Sequence, residues 1–274
     1  MKLDFIKMNG SGNDFIIFDA RKQDVSLSGE QIRQISARNN SATKGCDQLL
    51  ILRKSDIANV FMQIYNADGS EVDACGNATR CVVDILYKES GKLPVVIKTN
   101  TAILLGVKQQ DDYILVDMGV PKFRWGDIPL AMPIREAIPK IEELSGLKNP
   151  TFVSMGNPHI VYFTDEIPSD AIVTEIGSRI ENFAEVFPKR INVSFAKNTP
   201  EIIEAKIWER GAGLTKACGT GACAILAAAY KQFERTEAQV KFMNSGEAVQ
   251  VKLENKHIFL GGRIETEFTG IMEI

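Results

Sequence analysis

Two stretches decide the fold: Asp-Ala-Cys-Gly-Asn-Ala-Thr-Arg-Cys at residues 73–81 and Lys-Ala-Cys-Gly-Thr-Gly-Ala-Cys-Ala at residues 216–224. In each, a Cys is followed by Gly, a small polar residue and a run that reads as helix. The first run, 78–88, carries Val82, Val83, Ile85 and Leu86, and the second, 222–230, is rich in Ala. Cys75 and Cys218 are therefore expected at or just before a helix N-terminus. Unpaired N–H groups and the positive end of the helix dipole stabilise a thiolate there, and the same groups can hold a carboxylate. The competing reading of any Cys is a small buried hydrophobe. That reading is kept for Cys46, Cys81 and Cys223.

The two stretches belong to a longer duplication. Gly12-Asn-Asp-Phe-Ile-Ile-Phe18 is similar to Gly156-Asn-Pro-His-Ile-Val-Tyr162. Cys75 follows Asn13 by 62 residues, and Cys218 follows Asn157 by 61. Nine residues before each Cys stands a polar residue after an aromatic, Asn66 after Tyr65 and Glu209 after Trp208. Gln48 precedes Asn66 by 18 residues, and Asn192 precedes Glu209 by 17. Four polar landmarks thus recur in one order, which is expected to build two similar domains, each offering one thiol to a shared cleft. A duplication that preserves only fold landmarks is the alternative, since buried polar groups need partners and Gly-Asn pairs make turns. It accounts for Gly12 and Gly156, and poorly for paired Asn, Gln and Glu beside two thiols.

Short runs rich in Val, Ile and Phe predict strands at 3–7, 15–19, 48–52, 61–65, 95–99 and 114–118. The pattern returns at 159–163, 190–195, 204–208, 239–242, 248–253 and 258–260. Helices are expected at 29–40, 77–89, 134–145, 175–183 and 221–233. Strand-to-strand stretches interrupted by helices within each half argue for an α+β fold. A segment at 119–133, with Pro121, Pro129 and Pro133, is the expected boundary between the halves.

Composition limits the function classes. The chain has 274 residues, 45% hydrophobic and 24% charged, which excludes wholesale disorder. A net charge of −3 without a long Lys or Arg run argues against a nucleic-acid or anionic-membrane partner. No stretch approaches the roughly 18 apolar residues of a membrane span, and the first 18 residues do not read as a signal peptide. A cytoplasmic location is expected, where thiols stay reduced. The five Cys include no CxxC pair and only His159 and His257 are present, so no metal site is expected. Zinc held by thiols that only the fold assembles stays open.

Two thiols on opposite faces of a carbon suit a proton transfer in which one removes a proton and the other delivers one, inverting the centre. The N–H groups of Gly76, Asn77, Gly219 and Thr220 would stabilise charge developing on the adjacent carboxylate. No Lys lies in a setting that points to a Schiff-base cofactor. Glu209 offers a carboxylate for an ammonium group, and Arg210 a guanidinium for a second carboxylate.

Five segments carry a resemblance to a known family: Asn66-Ala-Asp-Gly-Ser-Glu71, Ala74-Cys-Gly-Asn-Ala-Thr-Arg80, Met155-Gly-Asn-Pro-His159, Trp208-Glu-Arg-Gly-Ala-Gly213 and Ala217-Cys-Gly-Thr-Gly-Ala222. In this order they resemble the signature segments of diaminopimelate epimerase, over nearly the whole chain. The resemblance implies interconversion of LL- and meso-diaminopimelate without cofactor or metal, feeding lysine and peptidoglycan precursor synthesis. It implies two pseudo-symmetric α+β domains, each a curved, mostly antiparallel sheet around a central helix. The expected domains are 1–118, with 263–274 returning to it, and 119–262. By matching position, Cys75 and Cys218 are the acid/base pair. Asn13, Gln48, Asn66, Asn157, Asn192, Glu209 and Arg210 bind substrate, and Gly76, Asn77, Gly219 and Thr220 hold the reacting carboxylate. His159 is an accessory residue or a structural one. The expected partner is the small-molecule substrate, with no nucleic acid and no membrane, and a homodimer is the assembly considered.

The chain departs from the family pattern at Asn9, at 38–45, at Leu214, at 244–247 and at 261–263. These departures bear on local loop geometry and leave the thiols and the named ligands intact. Three alternatives stand beside this reading: a two-thiol racemase of proline or hydroxyproline, an isomerase on the same duplicated fold that lacks one thiol, and a non-catalytic amino-acid-binding protein. Arg210 with the Asn set favours a substrate bearing a distal amino-acid group, and both thiols are present.

Overall fold

Burial alternates along the strands as it does in a sheet with one face turned inward: in Val60–Asn66, Val60, Met62 and Ile64 are buried while Phe61, Gln63 and Tyr65 are only partly covered. The structure, a computed structural model, describes residues 2–72, 75–110 and 113–273. Asp73 and Ala74, which open the first thiol motif, lie outside the described residues. The chain divides into two compact units, one of Met1–Asp117 with Gly261–Ile274 and the other of Met118–Leu260.

Unit one contains β1 (Lys2–Gly10), β2 (Asn13–Asp19), α1 (Gly29–Ser36), β3 (Gln48–Arg53), β4 (Val60–Asn66) and β5 (Glu71–Val72). It continues with α2 (Gly76–Ser90), β6 (Val95–Lys98), β7 (Ile103–Gln110) and β8 (Tyr113–Asp117). Unit two contains α3 (Ile134–Ser145), β9 (Thr151–Ser154), β10 (Pro158–Phe163), α4 (Asp170–Glu181), β11 (Asn192–Asn198) and β12 (Ile202–Glu209). Then follow β13 (Gly213–Leu214), α5 (Gly219–Phe233), β14 (Glu237–Phe242), β15 (Ala248–Glu254) and β16 (His257–Glu273), whose residues from Gly261 onward belong to unit one.

The two units pair their strands in the same order and sense. In unit one β1–β2 is antiparallel, β2–β3 parallel, β3–β4 antiparallel, β4–β6 parallel and β6–β7 antiparallel. In unit two the same series runs through β9–β10, β10–β11, β11–β12, β12–β14 and β14–β15. Parallel neighbours need a crossover, and a helix supplies each one: α1 and α2 in the first unit, α4 and α5 in the second. The fold is α+β with mostly antiparallel pairing, as the sequence predicts.

One helix sits inside each curved sheet. α2 packs against β1, β2, β6, β7 and β8, and α5 against β9, β10, β11, β14 and β15. A helix enclosed on every side must be apolar all round, and Gly221 to Ala229 in α5 are buried without a break. Its many Ala residues let strands approach closely, while Ile225 and Leu226 each contribute roughly 1.5–3 kcal/mol by burial. α2 is less uniform. It buries Asp84, neutralised by Lys108 at 2.8 Å and Lys88 at 2.7 Å, and also Arg80.

The C-terminal stretch Ile264–Glu273 pairs antiparallel with β1, and Phe268 meets Phe5 edge-on. The expected strand 258–260 therefore runs on through Gly261 and Gly262, which lie inside β16. A side chain at Gly261 would collide with Tyr113 and Leu115 of β8. β7 was absent from the sequence reading for a similar reason, since Gly106 interrupts its apolar run; a Cβ there would lie 2.0 Å from Val83 of α2. Two helix boundaries also differ. α1 stops at Ser36 rather than 40, where the Asn40 side chain folds back to accept from Ala42 and Thr43 N–H groups. α4 starts at Asp170 rather than 175, behind an N-cap from Ser169. The short strands β5, β9 and β13 carried no periodic signal.

Candidate active site

In unit one the strand register gathers the polar landmarks. Gln48 stands opposite Asn66 across β3–β4 and opposite Phe15 across β2–β3, which puts Asn13, Gln48 and Asn66 at the same end of three adjacent strands. Gln48 Nε2 donates to Asn66 Oδ1 at 3.1 Å, and Asn66 Nδ2 donates to Ser70 Oγ at 3.1 Å. Gln48 Oε1 is buried without a hydrogen-bond partner. Such an acceptor costs free energy until a donor meets it, and a ligand ammonium is one. Asn13 Nδ2 donates to Asp47 Oδ2 at 3.3 Å, and Asn77 Nδ2 donates to Asn13 Oδ1 at 2.6 Å.

Cys75 is the N-cap of α2, with extended backbone (φ −146°, ψ 114°) and Sγ accepting from the Ala78 N–H at 3.5 Å. The N–H groups of Gly76 and Asn77, in the first turn, lie outside the intrahelical ladder. Behind Asn13 sits a charge cluster. Asp14 is bound by Lys7, which is itself buried, and by Arg38, which also reaches Asp47. Burial alone would raise the Asp14 pKa, but hydrogen bonds from Arg38 and Lys7 outweigh it and hold the carboxyl well below the usual range.

Unit two repeats the arrangement with different chemistry. His159 stands opposite Asn192 across β10–β11, and the Val193–Trp208 pairing brings Asn192 beside Glu209. Asn192 Nδ2 donates to the Pro158 carbonyl at 2.8 Å, and its Oδ1 accepts from the Arg210 N–H at 2.9 Å. Thr215 Oγ1 donates to Glu209 at 2.6 Å. Asn157 Nδ2 donates to Thr220 Oγ1 at 3.2 Å, while its Oδ1 lies 2.9 Å from His159 Nε2, which fixes that nitrogen as the protonated one. The Arg210 guanidinium is exposed and donates to the Lys189 carbonyl at 3.0 Å. The loop beyond it is anchored by the buried Glu181 carboxylate, which accepts from Trp208 Nε1 at 2.7 Å and from Gly211 N at 2.8 Å.

Cys218 caps α5 as Cys75 caps α2: φ −139°, ψ 110°, and Sγ accepting from the Gly221 N–H at 3.4 Å. Gly219 and Thr220 occupy its first turn as Gly76 and Asn77 occupy that of α2. Burial, and then the Glu209 carboxylate, push the Cys218 thiol well above its ordinary pKa. Asn66, the counterpart of Glu209, is neutral. Burial and then the Arg210 charge pull His159 down to about 3, so its imidazole is neutral near pH 7.

Each unit thus assembles its own share of the expected residues: Asn13, Gln48, Asn66, Cys75, Gly76 and Asn77 in the first, Asn157, His159, Asn192, Glu209, Arg210, Cys218, Gly219 and Thr220 in the second. Each set can hold a thiol at a helix start amid oriented amides, an arrangement suited to proton transfer beside a carboxylate. Asp47, Ser70 and Thr215 hold these residues and were missed in the sequence; for Asp47 the signal was its position directly before Gln48. Cys46, Cys81 and Cys223 are buried. Among the described residues no group of three or more His, Cys, Asp or Glu could hold a metal ion, and no helix is long and apolar enough to cross a membrane.

The sequence profile of the diaminopimelate epimerase family matches residues 5–124 and 151–265. The diaminopimelate epimerase of Acidiphilium cryptum is 40% identical over 271 residues, covering 98% of this chain and 96% of that protein. The diaminopimelate epimerase of Zymomonas mobilis is 43% identical over 235 residues, covering 85% and 83%. In fold, the chain is similar to a phenazine biosynthesis protein of the PhzF family from Bacillus anthracis, with a TM-score of 0.66, 17% identity and full coverage of both chains.

Proposed function

The chain belongs to the diaminopimelate epimerase family, and on that premise we propose that it interconverts LL- and meso-2,6-diaminopimelate by a two-thiol proton transfer at Cα. One thiolate takes the Cα proton, the bonding electrons are held on the adjacent carboxylate, and the second thiol returns a proton to the opposite face. Each turnover leaves the two sulfurs with exchanged protonation states, which the reverse reaction restores. The single observation that carries the reading is the duplicated cap: Cys75 and Cys218 start 15-residue helices with closely similar backbone angles, and each Sγ accepts from the N–H three residues on. N–H groups of the same helix starts, at Gly76, Asn77, Gly219 and Thr220, are the donors proposed for the reacting carboxylate.

Substrate binding is proposed for Asn13, Gln48 and Asn66 in unit one and for Asn157, Asn192, Glu209 and Arg210 in unit two. The unpartnered Gln48 Oε1 suits an ammonium N–H, and the exposed Arg210 guanidinium suits a carboxylate. With the helix-start N–H groups holding the reacting carboxylate, Arg210 is left for a second carboxylate, which diaminopimelate carries and proline lacks. His159 supports Asn157 as a neutral donor. The setting proposed is cytoplasmic, with the product entering lysine and peptidoglycan precursor synthesis.

The test is turnover of LL-diaminopimelate to the meso form, followed by chiral chromatography and run beside L-proline. Conversion of diaminopimelate alone, abolished in Cys75→Ala and in Cys218→Ala, is the expected result. Racemisation of proline with no action on diaminopimelate would overturn the substrate assignment, and full activity in either Cys variant would overturn the mechanism.

A further inference from the structure

We propose that Arg80 is a positioning residue that sets the orientation of two carboxamides in the first unit, Asn77 and Asn13. The proposal rests on the reading of unit one as a substrate-binding half-site. Arg80 lies on α2 five residues after Cys75 and is fully buried. Its Nη2 donates to Asn77 Oδ1 at 2.8 Å and to Ser11 Oγ at 2.8 Å. With Oδ1 claimed by the cation, Asn77 must turn Nδ2 outward, and it donates to Asn13 Oδ1 at 2.6 Å. Asn13 in turn directs Nδ2 to the Asp47 carboxylate at 3.3 Å.

The result is a chain of donors running one way, from a guanidinium through two amides to a carboxylate. An Asn side chain is nearly isosteric with its flipped form, so packing alone does not choose between them. Here a flip of Asn77 would set N–H against the guanidinium, and a flip of Asn13 would set a carbonyl oxygen against Asp47. A charge at each end therefore selects one polarity for both amides. The backbone of β16 approaches the cation closely: a Cβ on Gly262 would lie 3.0 Å from Arg80 Cζ and 2.8 Å from Ser11 Oγ, so a larger residue there would have to displace one of them. Burying a guanidinium is costly unless its partners are fixed, and the other half of the repeat avoids it. There Cys223 takes the place of Arg80, and Asn157 pairs with the neutral His159 ring.

Arg80→Lys and Asp47→Asn test the idea from the two ends of the chain, with side-chain amide NMR of Asn13 and Asn77 and steady-state kinetics on diaminopimelate. The expected result is that both variants melt close to the wild type, lose the slow exchange of those amide protons, and raise KM about tenfold with kcat within threefold. A purely structural role predicts loss of active protein, seen in kcat and melting temperature at unchanged KM. Wild-type amide spectra and wild-type KM in either variant would overturn the proposal. The amide spectra need no substrate, so they judge the positioning claim even if the wild type fails to turn over diaminopimelate.

Discussion

His159 and Phe15 occupy the same place in the two halves, two residues after Asn157 and Asn13, and both are completely buried. The apolar ring only packs, whereas the imidazole also holds an Asn in one orientation. That second task has a pH cost. In the unfolded chain an imidazole takes up a proton below about 6.5, while the folded ring resists protonation until about 3. Below about 6.5 the unfolded state therefore binds more protons, and stability falls as pH drops through this window. The loss should be on the order of 2 kcal/mol by pH 5, at about 1.4 kcal/mol per unit. Thermal melts at pH 7.5 and pH 5 should show a larger drop for the wild type than for His159→Phe. Equal drops would show that His159 is not the group responsible.

At the scale of elements, signals carried by a few adjacent residues were legible and those set by distant contacts were not. α1 announces itself through the Ser28–Gln31 capping box, and α3 closes on Gly146 in the left-handed conformation that glycine favours. β7 and the long β16 are broken in the sequence by Gly106, Gly261 and Gly262, whose reason for being glycine lies on other elements. Gly106→Ala would drive a methyl into Val83 and should cost roughly 1–3 kcal/mol in denaturant unfolding. The added Val83→Ala substitution should recover part of that loss. No cost in the single variant would mean that α2 shifts freely inside its sheet, against the close packing described above. The candidate site divides in the same way. The landmarks Asn13, Gln48, Asn66 and Cys75 were readable because strand and helix spacing repeats, while Asp47 meets Asn13, and Arg80 meets Ser11, across long stretches of chain.

For the molecule as a whole, the duplication at the level of residues reappears as five strand pairings of the same sense and order in each unit. One asymmetry concerns the chain ends. Unit one is completed by residues from Gly261 onward, which cover β1 and place Phe268 against Phe5. Removing residues 261–274 should therefore unfold unit one while unit two keeps slow amide hydrogen exchange in α5; protected β1 and β2 amides in the truncated protein would contradict this. A second asymmetry is chemical: Cys218 has a carboxylate neighbour where the other half has the neutral Asn66, so the two thiols are inequivalent. The central claim, that these thiols move separate protons, is tested most directly by starting from unlabelled LL-diaminopimelate in heavy water and stopping early. The account predicts deuterium at Cα of the meso product and almost none in recovered LL substrate. Deuterium entering both pools at the same rate, or a product that keeps the original proton, would contradict it.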